Sequence, residues 1–339
     1  MVQNLQSRYN ALLQPSEALI SEMQMLDGDI IILGVGGKMG PALAKLAKLT
    51  INKFGSAKKV IGVSRFTEPG LKDELESFGI ETHEADLLSD DAIDGLPDVK
   101  NVLYLAGTKF GTTGKESLTW AMNAYLPGRI IEKYRHSRIV VFSTGNVYPL
   151  TPVIMGGATE SNPAEPIGEY AQSCLGRERL FQYGSSKYQI PILLFRLNYA
   201  NDVTYGVLLE IAKAVREQRP INLAMGHVNV IWQGDANEWA LRSLLYCSLP
   251  GRTLNIAGPE TISVRWLADE FGKIFRVSPI WVNEEQSTSL LSNAAEAFRL
   301  FGYPRVPLMA MIQLIADWIS QGGKVLNKPT HFQERTGQF

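Results

Sequence analysis

The chain has 339 residues, 33 of them basic and 34 acidic, for a formal net charge of -1. This length allows one large domain or two closely joined ones, and it excludes a peptide-sized binding module. The balanced charge, without a long block of one sign, argues against nucleic-acid and membrane-surface partners. We therefore expect a small-molecule partner.

Cysteine and histidine usage bears on the compartment and on metals. Cys174 and Cys247 lie far apart without a CxxC or Cys/His pattern, which argues against a disulfide framework and a structural zinc site. The histidines show no metal-ligand spacing, so no metal site is predicted. A basic region followed by an apolar core is missing at the N-terminus, and no apolar run approaches the ~20 residues of a membrane span. The sequence predicts a cytoplasmic protein.

Residues 1–28 carry apolar side chains at helical spacing and are interrupted by Pro15. We predict one or two short amphipathic helices here. Packing on their own domain is the expected role, and docking of a partner subunit is the alternative.

The segment 29–40 is the most informative stretch of the chain. An apolar, β-branched run leads into Gly34, Gly37 and Gly40, and a helix-compatible run follows at 41–49. This pattern predicts a strand, a tight turn and the start of a helix. Such a turn directs backbone N–H groups and the positive end of a helix dipole to one point, which suits a pyrophosphate. We predict a bound dinucleotide, and an ordinary glycine-rich turn is the alternative.

Strand-like runs then alternate with helical stretches, at 30–33, 60–63, 101–105, 138–142 and 190–195. This alternation predicts an α/β fold with a doubly wound, mostly parallel sheet. The ligand of such a sheet lies at the carboxyl ends of its strands.

Beyond residue 196 the alternation loosens, and a smaller mixed α/β region is expected. Its predicted elements are a helix at 207–218, a strand at 229–232, a helix at 236–246, a strand at 253–256 and a helix at 264–275 capped by Ser263. The polar tail at 331–339 is expected to be mobile. We predict three parts: an N-terminal extension at 1–28, a dinucleotide-binding domain at 29–195, and a substrate-binding region at 196–339 that is partly interleaved with it.

Over residues 29–275 the sequence resembles the extended short-chain dehydrogenase/reductase family, which includes NAD(P)-dependent sugar epimerases and dehydratases. The motifs that carry the resemblance are GVGGKMG at 34–40, Ala85-Asp86-Leu87, Tyr104-Leu105-Ala106-Gly107, Asn123, Ser-Thr-Gly-Asn-Val-Tyr at 143–148, and Tyr170 at a helix start. The resemblance implies a Rossmann fold and a homodimer, which is common in the family.

The resemblance also implies a set of cofactor contacts. Asp86 and Leu87 would contact adenine, although Asp86 has an alternative role as a cap on the following turn. Small residues after the fourth strand would let the backbone approach the ribose and phosphates. The complete set comprises Gly34, Gly37, Lys38, Met39, Gly40, Ser64, Arg65, Asp86, Leu87, Leu105, Ala106, Gly107, Tyr170 and Asn198.

The end of the second strand bears on the choice of cofactor. An acidic residue there would bond the ribose 2′-OH and favour NAD. This chain has Ser64 and Arg65 instead, and Lys38 lies in the glycine turn. A guanidinium, a hydroxyl and an ammonium suit a 2′-phosphate, so NADP is predicted, with NAD as the alternative. Arg65 could instead stack over the adenine or lie in solvent.

The resemblance places Thr144 and Tyr170 at the reacting oxygen of the substrate. The family helix reads Tyr-x-x-x-Lys, whereas this chain has Cys174 at the lysine position. Without that cation we expect the Tyr170 pKa to stay near the ordinary value of about 10, so that the phenol donates a proton and is a poor base. This asymmetry favours carbonyl reduction.

Two cations are candidates to replace the missing lysine. Lys109 follows Gly107 by two positions, where some sugar epimerases of the family carry a lysine near the nicotinamide; a solvated surface charge is its alternative. Arg177, two turns beyond Tyr170, is predicted to be a solvated charge. Cys174 itself is expected to be a packing residue, and Ser143 supplies either a second hydroxyl or a turn-stabilising bond.

The distal region departs from the family pattern, because 228–235 lacks the arginine that often contacts a nucleotide diphosphate. Asn229, Trp232 and Gln233 could line a pocket for a smaller polar molecule, with core packing preferred for Trp232. The first hypothesis is an NADP-linked enzyme that reduces the carbonyl of a sugar-derived or other small polar compound. The alternatives are a non-catalytic NAD(P)-binding sensor or assembly protein, and a sugar epimerase or dehydratase with a tightly bound cofactor.

Overall fold

The computed structural model describes residues 2–109 and 114–338 of the chain. Within these ranges the strands are β1 Ile30–Leu33, β2 Val60–Ser64, β3 Glu81–Glu84, β4 Asn101–Tyr104, β5 Arg138–Thr144, β6 Thr151–Pro152, β7 Ile192–Leu197, β8 Ala200–Asn201, β9 Pro220–Asn222, β10 His227–Val228, β11 Ile231–Trp232, β12 Arg252–Ile256, β13 Ile262–Ser263, β14 Ile280–Val282 and β15 Thr288–Ser289.

The α-helices of the described ranges are α1 Val2–Ala11, α2 Glu17–Met25, α3 Gly40–Lys53, α4 Leu71–Ser77, α5 Asp90–Asp94, α6 Glu116–Trp120, α7 Leu126–Lys133, α8 Gly168–Tyr188, α9 Val207–Arg216, α10 Gln233–Arg242, α11 Val264–Phe275, α12 Ala295–Phe301 and α13 Leu308–Ser320. A single π-helical turn, Ala121–Tyr125, joins α6 to α7. Every described helix is too short or too polar to cross a bilayer.

A seven-stranded sheet in the order β12-β7-β5-β4-β1-β2-β3 forms the centre of the molecule, and all its pairings are parallel. The four residues of β1 are fully buried, with Ile30 and Ile32 in one apolar core and Ile31 and Leu33 in the core on the opposite face. The direction of strand addition reverses between β1 and β4, which is where such sheets bind ligands. The predicted doubly wound α/β fold is confirmed.

The region after residue 196 contains two-stranded pairings and a core of its own. β8 pairs with β11, β9 with β14, and β10 with β13, while helices α9, α11 and α13 supply much of the apolar packing. Helix α11 matches its predicted bounds, and Ser263 caps it by accepting a hydrogen bond from the Trp266 N–H at 3.2 Å. Because β12 joins the central sheet, the two regions are interleaved; the predicted boundary at residue 195 stays a prediction.

The N-terminal extension packs on its own chain. Helix α2 buries Leu19 and Met23 in the core that also contains the apolar face of α3, and Ser16 caps it by accepting from the Leu19 N–H at 3.0 Å. Glu22 accepts a hydrogen bond from Arg242 at 2.7 Å. The two helices on either side of Pro15 were therefore correctly predicted from the apolar spacing.

The C-terminal tail is held by the second core, so the prediction of a mobile tail is wrong for residues 331–338. Phe332 is 2% exposed and lies in the core of the second region. Arg335 donates hydrogen bonds to the carbonyl oxygens of Ala224 at 3.0 Å and Thr288 at 2.7 Å. Phe332 and Arg335 thus anchor a segment whose sequence is mostly polar.

We expect Phe332→Ala to lower the free energy of unfolding by about 3 kcal/mol, because it removes a buried aromatic ring and leaves a cavity. Urea denaturation monitored by circular dichroism measures the change. Gln338→Ala, at an exposed position of the same tail, is the control and should leave stability within about 0.5 kcal/mol. Equal midpoints for Phe332→Ala and the unmodified protein would contradict the anchoring role.

Candidate cofactor and reaction site

Three of the four glycines in the turn are predicted cofactor residues, and each has a different structural role. Gly34 has φ +91°, and a β-carbon there would lie 2.7 Å from the Ala106 nitrogen. A β-carbon at Gly40, the first residue of α3, would overlap the Val35 carbonyl. By contrast, a β-carbon at Gly37 would meet only the Gly34 oxygen, at 3.4 Å, which is an ordinary contact. The fold thus requires Gly34 and Gly40, whereas Gly37 keeps space open on the ligand side of the turn, as close approach of a pyrophosphate would need.

A cleft of about 480 Å³ lies beside this turn at the carboxyl edge of the sheet. It brings together predicted residues from five separate segments of the sequence. Those that line it are Gly34, Gly37, Lys38, Met39, Leu105, Gly107, Lys109, Thr144 and Tyr170. Gln233, named as a pocket residue, also lines it, as do Tyr199, Tyr205 and Thr330, which the sequence did not indicate.

The remaining predicted cofactor residues lie outside this lining. Gly40 and Ala106 are buried in the turn and its neighbouring strand end. Asp86 accepts a hydrogen bond from the Leu88 N–H at 3.0 Å, which is its alternative role as a turn cap, and Leu87 is buried in an apolar core. Ser64 packs against Gly36, while Arg65 is exposed at the end of β2. Their contacts with a cofactor stay predictions.

Three residues of the region after position 196 are buried away from the cleft. The Asn198 amide donates to the Asn229 side-chain oxygen at 3.1 Å and to the Leu290 carbonyl at 3.3 Å. Asn229 is 2% exposed. Trp232 is fully buried in the second core, as preferred from sequence. In this structure the Asn198 amide thus binds protein groups, and its predicted cofactor contact stays a prediction.

Thr144 and Tyr170 lie side by side although they come from different elements. Thr144 is the last residue of β5, and Tyr170 stands in the first turn of α8. The Tyr170 hydroxyl shares hydrogen bonds with the Thr144 hydroxyl and the Cys174 thiol. Burial raises the pKa of Tyr170 well above 10, further than the sequence-based expectation. The phenol is therefore neutral and able to donate a proton.

Cys174 is 1% exposed and packs in a small apolar cluster with Val147, Tyr148 and Tyr170. Burial raises the pKa of its thiol, so the thiol is neutral. It is the packing residue that the sequence predicted.

Two lysines give the cleft its charge. The Lys109 ammonium lies 5.7 Å from the centre of the Tyr170 ring, and burial lowers its pKa to about 8. The Lys38 ammonium lies 3.4 Å from the centre of the Tyr205 ring. Burial, followed by the charges of Lys109 and Lys328, lowers the Lys38 pKa to about 7. An anion such as a diphosphate would relieve this crowding of positive charge and raise the pKa of Lys38. The residues present fit a dinucleotide.

Arg177 is a buried residue of the site, so its prediction as a solvated charge is wrong. It is 6% exposed, and its guanidinium donates to the Phe142 carbonyl at 2.8 Å and to the Asn123 side-chain oxygen at 2.7 Å. Asn123, in the π-helical turn, also bonds both backbone groups of Thr108 at 2.9 Å. The sequence signal was the position of Arg177 seven residues after Tyr170, which puts both side chains on one helix face.

A buried polar network lies behind Thr144. The Ser143 hydroxyl donates to Glu178 at 2.5 Å, and Arg196 donates to both carboxylate oxygens of Glu178 at 2.9 and 2.6 Å. Arg196 also donates to the Tyr148 hydroxyl at 2.6 Å. The Ser143 hydroxyl thus has a structural partner.

Comparison with known proteins agrees with this architecture. The UDP-glucuronic acid 4-epimerase of Bacillus cereus, solved with UDP-glucuronic acid and NAD, superposes with a TM-score of 0.72 at 21% identity, over 86% of this chain and 99% of that chain. The UDP-glucose 4-epimerase of Thermus thermophilus, solved with NAD, gives 0.70 at 17% identity, over 85% and 98%. At these identities the likeness shows a shared fold.

No curated protein matches the sequence significantly. A family model, the NAD dependent epimerase/dehydratase family, matches residues 30–201. That range is half of the chain, and it contains the glycine turn, Lys109, Thr144 and Tyr170. The family predicted from the ordered motifs is thereby confirmed: the chain belongs to the NAD dependent epimerase/dehydratase family.

Proposed function

We propose that the protein binds a nicotinamide dinucleotide in the cleft and works as an epimerase or dehydratase on a sugar-like substrate, returning the cofactor to its starting state. The observation that carries the proposal is the hydrogen-bonded pair of Thr144 and Tyr170 in the cleft that begins at the glycine turn. A bound nicotinamide would supply a hydride acceptor and donor. The solved proteins of similar fold include epimerases in complex with NAD and UDP-sugars.

In this proposal the hydroxyls of Thr144 and Tyr170 orient the reacting oxygen of the substrate. The neutral Tyr170 phenol donates a proton as negative charge develops there. The reverse step needs a base, and Lys109 supplies it, because an amine with a pKa of about 8 is partly neutral near pH 8. With Lys109 as the base, the site can carry out the oxidation step as well as the reduction step, although the neutral Tyr170 phenol is itself a poor base.

Net carbonyl reduction was the leading hypothesis from sequence, and the family and structural comparisons support the epimerase alternative better. Reduction is retained as a second candidate because the raised pKa of Tyr170 suits a proton donor. The argument for the non-catalytic alternative is that Cys174 occupies the position of the family lysine. The Cys174→Lys variant distinguishes the catalytic from the non-catalytic hypothesis, because it should increase turnover only if the site already holds a substrate.

We retain NADP as the preferred cofactor and a homodimer as the expected assembly. Arg65 is exposed at the end of β2, with Ser64 before it and no acidic residue in either place, and this pair suits a 2′-phosphate. For the dimer, Leu118 and Tyr125 expose apolar surface on and near helices of the cofactor domain. The substrate is a small polar, sugar-derived molecule.

Tyr170→Phe should reduce turnover by roughly 100-fold or more, because it removes the proton donor and leaves the ring packing intact. Interconversion of a panel of UDP-sugars, followed by NMR, measures this. Tyr183→Phe, at an exposed position of the same helix, is the matched control. If the unmodified protein binds the cofactor yet converts none of the panel in either redox direction, the non-catalytic alternative is favoured.

Lys109→Met should abolish the rise of the oxidation rate between pH 7 and 9. In the unmodified protein the rate should increase as pH rises through about 8, where Lys109 loses its proton, and level off above that. The reduction of NAD+ or NADP+ on adding substrate, measured at 340 nm across pH, tests the profile. Lys115→Met, an exposed lysine, should keep the rise, and a flat profile in the unmodified protein would exclude Lys109 as the base.

Arg65→Gln should raise the Kd for NADPH at least about tenfold and leave that for NADH unchanged, since a charge-assisted hydrogen bond to phosphate contributes about 1.5–3 kcal/mol. Cofactor fluorescence titration gives both constants, and NADH is the internal control. Tighter binding of NADH than NADPH, with no effect of the substitution, would establish NAD as the cofactor instead.

A further inference from the structure

A buried cation lies directly behind the floor of the cleft. A β-carbon at Gly107 would overlap the Arg177 guanidinium, and the same guanidinium donates to the Phe142 carbonyl at 2.8 Å. Gly107 and Phe142 both line the cleft. Only the backbone of these two residues therefore separates the charge of Arg177 from the ligand space.

Among the described residues, Glu178 is the one carboxylate that acts on the charge of Arg177. The groups that face it are Tyr104 on β4, Tyr170, Cys174 and Glu178 on α8, and Lys109 beyond Cys174. Glu178 already accepts hydrogen bonds from the Nε and Nη2 atoms of Arg196. The Nε–H of Arg177 is buried and makes no hydrogen bond to any described residue.

Burying an arginine in this way is costly, because a charge out of water needs either an opposite charge or a full set of hydrogen bonds. Here two neutral oxygens accept its hydrogen bonds, and its net charge is left to act on the surroundings. The nearest open space on which it can act is the cleft.

We infer that Arg177 is a positioning residue that supplies, from behind the cleft floor, the fixed positive charge that Cys174 does not provide. It biases a bound nicotinamide toward the reduced form, because the oxidised ring carries a positive charge that the reduced ring lacks. This inference rests on the proposed function, since it assumes a nicotinamide in the cleft. Arg177 thus contributes to the electrostatic potential of the site, although it lies outside the Tyr-x-x-x-Lys pattern.

The expected size of the bias follows from Coulomb's law. A unit charge ~7 Å away at an effective dielectric constant of ~20 changes a binding ratio by up to about 50-fold. Screening by solvent in the open cleft reduces this, so we expect about tenfold.

The test is the ratio of Kd for NAD+ to Kd for NADH, measured by calorimetry at pH 7, with the NADP+/NADPH pair measured in the same way. Arg177→Met should lower the ratio about tenfold. Arg177→Lys keeps a charge and should keep most of the bias. Arg179→Met, at an exposed position of the same helix, should leave the ratio unchanged. Adding Cys174→Lys to Arg177→Met should restore the ratio, a rescue that a merely structural clamp would not show.

An unchanged ratio in a folded Arg177→Met protein that still binds both cofactor forms overturns this inference and leaves the proposed function intact. Failure of the unmodified protein to bind any of the four cofactor forms overturns both. If Arg177→Met does not fold, Arg177→Gln decides: it removes the charge but keeps a side-chain donor for the Phe142 carbonyl, so the ratio should fall about tenfold, and no change would overturn the inference.

Discussion

Glu178 and Arg196 form a buried, doubly hydrogen-bonded ion pair that fixes helix α8 against the central sheet. Arg196 stands on β7, and Glu178 also accepts from Ser143 on β5, so one carboxylate connects the helix that carries Tyr170 to the strand that carries Thr144. Removing one partner of such a pair leaves an uncompensated buried charge and costs roughly 3–5 kcal/mol. The distance between the Thr144 and Tyr170 hydroxyls depends on this pair and on the hydrogen bond from Arg177 of α8 to the Phe142 carbonyl of β5.

The cleft keeps a positive charge although a neutral thiol, that of Cys174, occupies the position of the family lysine. Positive charge reaches the cleft from three separate places: the glycine turn through Lys38, the β4 loop through Lys109, and the far side of the floor through Arg177. Lys38 lies over the ring of Tyr205, Lys109 is partly buried beside Tyr170, and the Arg177 guanidinium donates hydrogen bonds to Phe142 and Asn123. The pKa values of the two lysines lie close to neutrality, so the charge that they give the cleft changes over the physiological range.

Local patterns predicted most of the fold, and long-range packing decided what they missed. The apolar run of β1 and the glycine spacing fix the first strand and turn, and Ser263 fixes the start of α11 at the predicted residue. Thr144, Tyr170 and Lys109 meet in one cleft because parallel strands end at one edge. The spacing of Arg177 from Tyr170 indicated a shared helix face, but the burial of Arg177 depends on the missing side chain at Gly107 and on the amide of Asn123, which are remote in sequence. The anchoring of Arg335 likewise depends on Ala224 and Thr288, which are remote in sequence.

The tail has a consequence for the order in which the site is assembled. Thr330 lines the cleft, and the Gly337 carbonyl packs against Gly168, where the helix that carries Tyr170 begins. During synthesis the N-terminal part of a chain emerges and folds first, so the parallel sheet and the glycine turn can form early. The wall of the cleft cannot close, however, until residue 337 has left the ribosome. The cleft is therefore completed only after residues 330–337 have been synthesised.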